Sequence, residues 1–167
     1  MDRLIRKMQK KGVLLDTNLL ILLVVGLVDT KLISTHKKLR IYSEDDFKLL
    51  VGILDTSSKL VATPHILAET SNLAIHGMYN ELEAKTFLVL KGITSSDKFE
   101  EVHELIKTIT NHDGYLKFGV SDIGLLEALS NGYVLLTDDW KLSGYAEQKG
   151  YDVLNYKTIQ YQIAEYL

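Results

Sequence analysis

Two short runs of this chain, both mainly apolar, lead directly into aspartate. Val13–Leu15 precedes Asp16, and residues 133–137 precede Asp138 and Asp139. Such runs are typical of parallel strands that are buried on both faces. In an open α/β sheet, the ligand site lies outside the carboxyl ends of the strands. The two runs therefore predict a parallel sheet that carries carboxylates at one edge.

Helical patterns separate the predicted strands. Residues 19–28 are too long and too rich in leucine for a strand, so we expect a buried helix that begins after Asp16-Thr17-Asn18. Two more strands are expected at residues 59–62 and 152–155. Further helices are expected at residues 43–54, 64–74, 81–91, 99–110, 121–132, 142–150 and 158–166. This alternation predicts an α/β fold, a three-layer α/β/α sandwich with a central parallel sheet.

Local signals support the ends of several of these helices. Ser43 is followed by three acidic residues, which is typical of a capped helix start. Ser121 is expected to cap the helix that carries Asp122 in its first turn. Asn131-Gly132 is the expected end of that helix.

Length and composition limit the domain organisation and the chemistry. With 167 residues, 46% of them hydrophobic, the chain can bury one substantial core. We expect one domain over residues 1–167, with a basic leader at 1–12 and the motif-bearing core at 13–156. The net charge of −3 disfavours binding of nucleic acid by overall attraction, so any such contact must be local or bridged by metal. The absence of cysteine excludes disulfides, thiolate catalysis and cysteine zinc sites.

The basic leader does not have the pattern of a signal peptide. The apolar residues after it include Asp16 and Asn18, and no small-residue cleavage site closes them. The longest apolar stretch, residues 19–28, is about half of the ~20 residues that span a bilayer. We therefore expect a cytoplasmic protein that makes no use of a membrane.

Asp16 needs a partner if it lies beside a buried strand. An ionised carboxylate next to apolar surface is costly unless it is paired, and no Lys or Arg stands beside Asp16 in the sequence. Hard divalent cations such as Mg²⁺ and Mn²⁺ bind carboxylate and water ligands. A metal ion is therefore the expected partner, although Asp16 could also simply cap the helix that follows it.

Four motifs occur in a fixed order along the chain. They are Leu14-Leu15-Asp16-Thr17-Asn18, Pro64-His65-Ile66-Leu67-Ala68-Glu69, Ser121-Asp122, and Leu135-Leu136-Thr137-Asp138-Asp139 followed by Leu142. Each motif is weak alone, but in this order and setting they resemble the PIN-domain ribonucleases over residues 13–156. The resemblance implies a PIN-like fold.

The resemblance also implies a set of site residues. The acidic cluster, acting as catalytic residues and metal ligands, would be Asp16, Glu69, Asp122 and Asp139. Asn18 and Thr137 would support Asp16. The family's last motif has Thr, one variable residue and then Asp, which selects Asp139, with Asp138 as the alternative.

The activity implied by the resemblance is metal-dependent hydrolysis of RNA phosphodiester bonds with Mg²⁺ or Mn²⁺. Similar proteins act as toxins of toxin–antitoxin pairs or as stand-alone PIN ribonucleases, so the implied partners are RNA and, for a toxin, a small antitoxin. Homodimers are common in the family. The chain departs from small PIN domains in its length between Glu69 and Asp122 and in its basic leader, which leaves the subfamily and the substrate open.

Two other functions stay open. One is a non-catalytic PIN-like scaffold that binds RNA or protein, and the other is a phosphotransfer or phosphatase-like α/β domain with Asp16 as nucleophile. Each acid of the cluster also has a structural explanation. Asp122 suits the first turn of a helix, Asp138 or Asp139 suits a helix cap, and Glu69 could be a solvated helix residue.

Several other polar groups are weaker candidates. Contact with RNA phosphates is a hypothesis for the basic residues Arg3, Arg6, Lys7, Lys10, Lys11, Lys37, Lys38 and Arg40, although such runs are more often solvated. Base stacking is a hypothesis for Tyr151, Tyr156, Tyr161 and Tyr166, against core packing. The histidines His36, His65, His76, His103 and His112 lack paired metal-ligand spacing, which favours structural or surface roles.

Overall fold

The computed structural model describes residues 2–164. Within them the strands are β1 (Val13–Leu15), β2 (Leu60–Ala62), β3 (Phe99–Glu101), β4 (Val134–Thr137) and β5 (Val153–Asn155). The helices are α1 (Asp2–Lys11), α2 (Thr17–Val28), α3 (Glu44–Asp55), α4 (Pro64–Ala74), α5 (Glu81–Thr94), α6 (Ile106–Asn111), α7 (Tyr115–Ala128), α8 (Trp140–Gln148) and α9 (Tyr156–Ala164). Short 3₁₀ turns occupy Thr30–Leu32 and Leu129–Asn131.

The strands form one sheet in the order β3-β2-β1-β4-β5, and every neighbouring pair is parallel. Helices flank this sheet, so the predicted α/β fold, a three-layer α/β/α sandwich with a central parallel sheet, is confirmed. From β1 the chain adds β2 and β3 on one side and β4 and β5 on the other. The order reverses between β1 and β4, and the crevice outside their carboxyl ends is where such sheets bind ligands.

The two central strands are buried along their whole length. Every residue of β1 and β4 is buried, and Leu14 of β1 lies in register with Leu135 of β4. This burial on both faces agrees with their apolar sequences. The helix α2 follows β1 directly, and most of its residues are buried as well. The side chain of Asp16 therefore stands at the junction of a buried strand and a buried helix.

Among residues 2–164, no helix combines the length and the apolar character needed to cross a membrane.

The expected helix at residues 99–110 is wrong. Residues Phe99–Glu101 form the edge strand β3, which pairs with β2, and a shorter helix, α6, begins only at Ile106. The side chains of the residues that precede β2 and β4 hold Glu100 in this strand. Its carboxylate accepts hydrogen bonds from Lys59 Nζ and Tyr133 Oη, each at 2.6 Å. Both partners are distant in sequence, so pairing between strands overrides the local helical pattern.

The helix that carries Asp122 starts earlier than expected. α7 begins at Tyr115 and is interrupted at Gly119, whose φ of 77° and ψ of −171° are open to glycine because it has no Cβ. Within the described part of the chain, Ser121 makes no capping hydrogen bond, so its predicted cap is wrong. The predicted end is confirmed, because Gly132 closes the following 3₁₀ turn with a φ of 88°.

The basic leader forms the helix α1, which the sequence patterns did not predict. Arg3 and Lys7 both bond to the carboxylate of Asp152, and Lys7 Nζ lies 2.6 Å from Asp152 Oδ2. Gly12 leads into β1 and Asp152 leads into β5, so these contacts lie at the amino edge of the sheet. At the other end of the chain, α9 begins at Tyr156; residues 165 and 166 of the helix expected there lie outside the described residues.

Substitution of Gly26 in α2 tests how tightly this helix packs against α3. A Cβ at this position would lie 2.2 Å from Phe47 Cδ2, so the ring or the helix must move. We expect Gly26→Ala to lower the free energy of unfolding by about 1–3 kcal/mol, although alanine is the better helix former by about 1 kcal/mol. Urea unfolding measures this change. Gly52→Ala in α3 is the matched control, because a Cβ there meets nothing within 4 Å. It should raise stability, and an equal rise for Gly26→Ala would contradict the packing.

Candidate metal centre

The four acids named from the sequence line one cleft of about 180 Å³ at the carboxyl edge of the sheet. Its lining residues are Asp16, Thr17, Asn18, Lys38, Glu69, Leu73, Asp122, Asp139 and Leu142. The carboxylates come from four different parts of the fold: the end of β1, α4, α7 and the end of β4. The chain therefore brings together acids that are far apart in sequence. Their role as metal ligands stays a prediction.

Asp16 is held by three hydrogen bonds. Its Oδ1 accepts from the backbone N–H of Leu19 at 2.9 Å, as the cap of α2, and its Oδ2 accepts from the Thr137 hydroxyl and from the Asp138 backbone N–H at 3.1 Å. Only 4% of the residue is exposed. Burial, followed by the nearby charge of Asp138, raises the pKa of Asp16 to about 7. Thr137 thus contacts Asp16 as expected, and Asp16 both caps a helix and lines the cleft.

Glu69 is placed by the helix α4, which starts at the capping residue Thr63 with Pro64 in its first turn. Its Oε2 accepts a hydrogen bond of 2.9 Å from the hydroxyl of Thr17. Thr17 is part of the first motif, but no pattern in the sequence predicted that it would orient Glu69. The two residues stand 52 positions apart in the chain. This contact ties α4 to the start of α2.

Asp122 lies three residues after the break at Gly119 and is half-buried. Burial, followed by the negative charges of Asp139 and Glu69, raises the pKa of Asp122 to about 6. Within residues 2–164, the carboxylate of Asp122 accepts no hydrogen bond and forms no ion pair. Burial and the neighbouring carboxylates therefore disfavour the ionised form of Asp122 at neutral pH. No described protein group in contact with Asp122 compensates its charge.

The adjacent aspartates Asp138 and Asp139 have different surroundings and different roles. Asp139 is exposed, caps α8 by accepting from the N–H of Lys141 at 2.6 Å and of Leu142 at 3.0 Å, and lines the acidic cleft. Asp138 is only 3% exposed and does not line that cleft. The geometry therefore favours Asp139 as the fourth acid. It agrees with the spacing of the motif.

Asp138 has a separate set of partners. It accepts hydrogen bonds from the Tyr42 hydroxyl and from Asn18 Nδ2, the latter at 3.2 Å. Asn18 was expected to support Asp16, and this expectation is corrected, because its amide bonds to Asp138 instead. Burial, followed by the charge of Asp138, raises the pKa of Tyr42 far above its ordinary value. Tyr42 therefore stays a neutral donor that holds the second aspartate.

The candidate basic residues lie in three different places. Lys38 is exposed and lines the acidic cleft. Lys37 and Arg40 line a neighbouring pocket of about 160 Å³ together with His36 and His76. Arg3 and Lys7 of the leader are paired with Asp152 at the opposite edge of the sheet. Of the basic residues named from the sequence, Lys38 is therefore the one that faces the acids.

The histidines and tyrosines stand apart from the acidic cleft. His36 is buried, with its Nε2 3.0 Å from the carbonyl oxygen of Ala74. Tyr156 is buried and donates to the backbone oxygen of Asp46, so its role is packing rather than base stacking. Tyr161 is 66% exposed. Tyr166 lies outside the described residues.

The atoms that the cleft offers are of the chemical type that hard divalent cations bind. The cleft offers carboxylate oxygens, and the raised pKa values of Asp16 and Asp122 show that their negative charges lack full compensation. The geometry is open, because in the described part of the chain no three acidic or histidine side chains already stand close enough to enclose a metal. Mg²⁺ keeps several of its waters and is usually held by one or two carboxylates. An open cleft of this kind is compatible with such binding.

The chain was compared with models of protein families, with curated proteins and with solved structures, and none of the three comparisons found a match. The resemblance to PIN-domain ribonucleases therefore rests on the four motifs and stays a prediction.

Proposed function

We propose that this chain is a divalent-metal-dependent ribonuclease of the PIN-like type, with the acidic cleft as its active site. The observation that carries the proposal is that four carboxylates from four different parts of the fold line one cleft beside the point where the strand order reverses. A structural explanation accounts for each acid alone. It does not account for their convergence, because like charges that share a small cleft destabilise the fold.

In the proposed mechanism, Asp16, Glu69, Asp122 and Asp139 would hold Mg²⁺ or Mn²⁺. The ion would supply a hydroxide nucleophile from water and stabilise charge on the phosphodiester. The chain itself orients two of the acids, through Thr137 on Asp16 and Thr17 on Glu69. Asp122, which has no hydrogen-bond partner in the described chain, keeps its oxygens available for the cation. The exposed ammonium group of Lys38 is suited to contact a phosphate oxygen at the cleft.

The hydrogen bonds of Asp16 disfavour the alternative in which it acts as a phosphotransfer nucleophile. Both of its oxygens already accept hydrogen bonds, one of them from two donors. Hydrogen bonds to the charged form draw electron density from the carboxylate and weaken it as a nucleophile. Metal binding is compatible with the same bonds, since a carboxylate oxygen has more than one lone pair.

A second candidate is a PIN-like scaffold that binds RNA or protein without cleaving it. One observation favours it: within residues 2–164 no three acidic or histidine side chains stand close enough together to enclose a metal. The raised pKa values of Asp16 and Asp122 argue against it, because a scaffold gains nothing from carboxylates that are costly to ionise. The resemblance further extends our proposal to the toxin of a toxin–antitoxin pair. A small antitoxin would then block the acidic cleft and inhibit cleavage.

Cleavage of a mixed RNA pool by the purified chain tests the proposal. We expect products in Mg²⁺ or Mn²⁺ and none in EDTA, and we expect Asp16→Asn to cleave at least about a hundredfold more slowly, since loss of several kcal/mol of charge stabilisation corresponds to at least this factor. Intact RNA in every condition, from folded protein supplied with metal and free of a copurified inhibitor, would favour the scaffold.

A further inference from the structure

A second cleft adjoins the acidic one. It has a volume of about 310 Å³ and is lined by Asn18, Asp138, Asp139, Trp140, Lys141 and Lys157. We call it the Trp140 cleft. Asn18 and Asp139 line both clefts, so the two are continuous across these side chains. A chain that crosses the acidic cleft would therefore reach the Trp140 cleft next.

Trp140 is an unusual residue for an exposed position. It is the only tryptophan of the chain and follows Asp139 directly, yet 53% of it is exposed. A tryptophan buried in the core would contribute a large apolar surface to stability. The half-exposed indole instead presents aromatic surface to solvent beside the proposed reaction site. Nucleic-acid bases stack on such faces with little dependence on sequence.

Two lysines offset the two aspartates that line the Trp140 cleft, whereas the acidic cleft has only Lys38 against four carboxylates. Lys141 is exposed and forms no ion pair within the described residues. Lys157 Nζ lies 3.9 Å from Asp138 Oδ2, which is longer than a charge-assisted hydrogen bond of about 2.7–2.9 Å. Asp138 already accepts hydrogen bonds from the Tyr42 hydroxyl and the Asn18 amide. Both ammonium groups are therefore able to take a new anionic partner.

We propose that the Trp140 cleft binds an unpaired nucleotide of single-stranded RNA next to the scissile phosphate, with Trp140 stacking on the base and Lys141 and Lys157 contacting phosphates. This inference rests on the ribonuclease function proposed above. Both the net charge of −3 and the acids of the first cleft oppose a polyanion. Affinity for RNA therefore has to come from local stacking and local positive charge, and the Trp140 cleft supplies both beside the acids.

Because Trp140 is the only tryptophan, its fluorescence reports on this cleft alone. A short single-stranded RNA is titrated into the full chain in Ca²⁺, and a gel checks that the RNA stays intact. We expect the RNA to quench the emission saturably. An oligomer of equal length with phosphates and sugars but no bases should leave the emission unchanged. A quench of equal size by the base-free oligomer, or no quench by RNA, would overturn the stacking.

Variants test the same contacts by anisotropy of a labelled RNA. Trp140→Ala should weaken binding about 5- to 100-fold, and Trp140→Phe should retain most of the affinity, because base stacking tolerates any aromatic ring. Lys141→Ala and Lys157→Ala should each make the negative slope of log affinity against log salt shallower by about 0.7. Tyr79→Ala, which removes a ring that is 77% exposed, and Lys149→Ala, beyond the other end of α8, are the matched controls. Urea unfolding checks that each variant is folded.

The outcomes separate this inference from the proposed activity. Metal-dependent cleavage together with wild-type RNA affinity in folded Trp140→Ala would overturn the Trp140 cleft and leave the ribonuclease intact. A base-dependent quench without any cleavage would uphold the cleft as an RNA site and overturn the ribonuclease.

Discussion

Asp122→Asn is expected to abolish metal-dependent RNA cleavage while making the metal-free protein more stable. The carboxylate accepts no hydrogen bond in the described chain, so asparagine removes its charge without removing a partner. Burial and the charges of Asp139 and Glu69 raise the pKa of Asp122 to about 6, so at pH 8 the folded chain bears the cost of keeping it ionised. This shift of about two pKa units corresponds to about 3 kcal/mol, and we expect the free energy of unfolding in EDTA at pH 8 to rise by up to this amount. Cleavage should fall at least about a hundredfold.

The control for this substitution is Asp97→Asn. Asp97 is exposed and precedes β3, so it lies at the amino edge of the sheet, away from the cleft. It should change neither the rate of cleavage nor the stability by a measurable amount. If Asp122→Asn instead cleaved RNA at the wild-type rate, Asp122 would have no place in the site. If it were less stable in EDTA at pH 8, the like charges of the cleft would not be the source of strain.

The second large effect is a fall in stability as the pH rises. In EDTA, the free energy of unfolding should decrease between about pH 4 and pH 7, because the pKa of Asp16 is raised in the folded chain from 3.8 to about 7. A raised folded-state pKa stabilises the protonated form of the protein. That contribution is complete below the unfolded pKa and is lost as the pH rises through the folded pKa. At about 1.4 kcal/mol for each pKa unit, Asp16 corresponds to a loss on the order of 4 kcal/mol.

A bound divalent cation should reverse this loss. At a hundred times its dissociation constant, a ligand that binds only the folded chain stabilises it by about 2.7 kcal/mol. Protons compete with the metal for Asp16 and Asp122, so the stabilisation by Mn²⁺ should be large at pH 8 and small at pH 5. Thermal and urea unfolding in EDTA and in Mn²⁺ across this range measure both effects. Stability that rises from pH 4 to pH 7 in EDTA, or equal stabilisation by Mn²⁺ at the two pH values, would contradict this account.

The centre of the sheet was predictable because its signals are local. Val13–Leu15 and the run before Asp138 have too few polar residues for any setting but a doubly buried strand. Each is followed by an aspartate that caps the next helix, as seen for Asp16 and Asp139. These patterns determine the strand, the turn and the start of the helix without reference to distant residues. They also place both carboxylates at the same edge of the sheet.

The periphery was less predictable because its structure depends on distant partners. β3 was mistaken for a helix, since its strand conformation comes from pairing with β2 and from the contacts of Glu100 with Lys59 and Tyr133. The helix α1 was not predicted, although Leu4 and Met8 stand at helical spacing on the face that contains the buried Met8. Arg3 and Lys7 of α1 are paired with Asp152, about 150 positions away.

The site shows the same division. The motif spacing favoured Asp139 over Asp138, and only Asp139 of the two lines the acidic cleft. The bond from Asn18 to Asp138 and the bond from Tyr42 to Asp138 join residues 120 and 96 positions apart. No local sequence pattern predicts contacts between residues so far apart. Thr17 is a comparable case, because its hydroxyl orients Glu69 only after α2 and α4 have packed together.

Binding of Mn²⁺ tests most directly whether the acidic cleft is a metal centre, and electron paramagnetic resonance of the free ion measures this binding. We expect the wild-type chain and Asp97→Asn to take up Mn²⁺ at pH 8, and we expect Asp16→Asn and Asp122→Asn to lose this binding although both fold. Equal uptake by all four proteins, or none by the wild type, would contradict the assignment of the cleft as a metal centre.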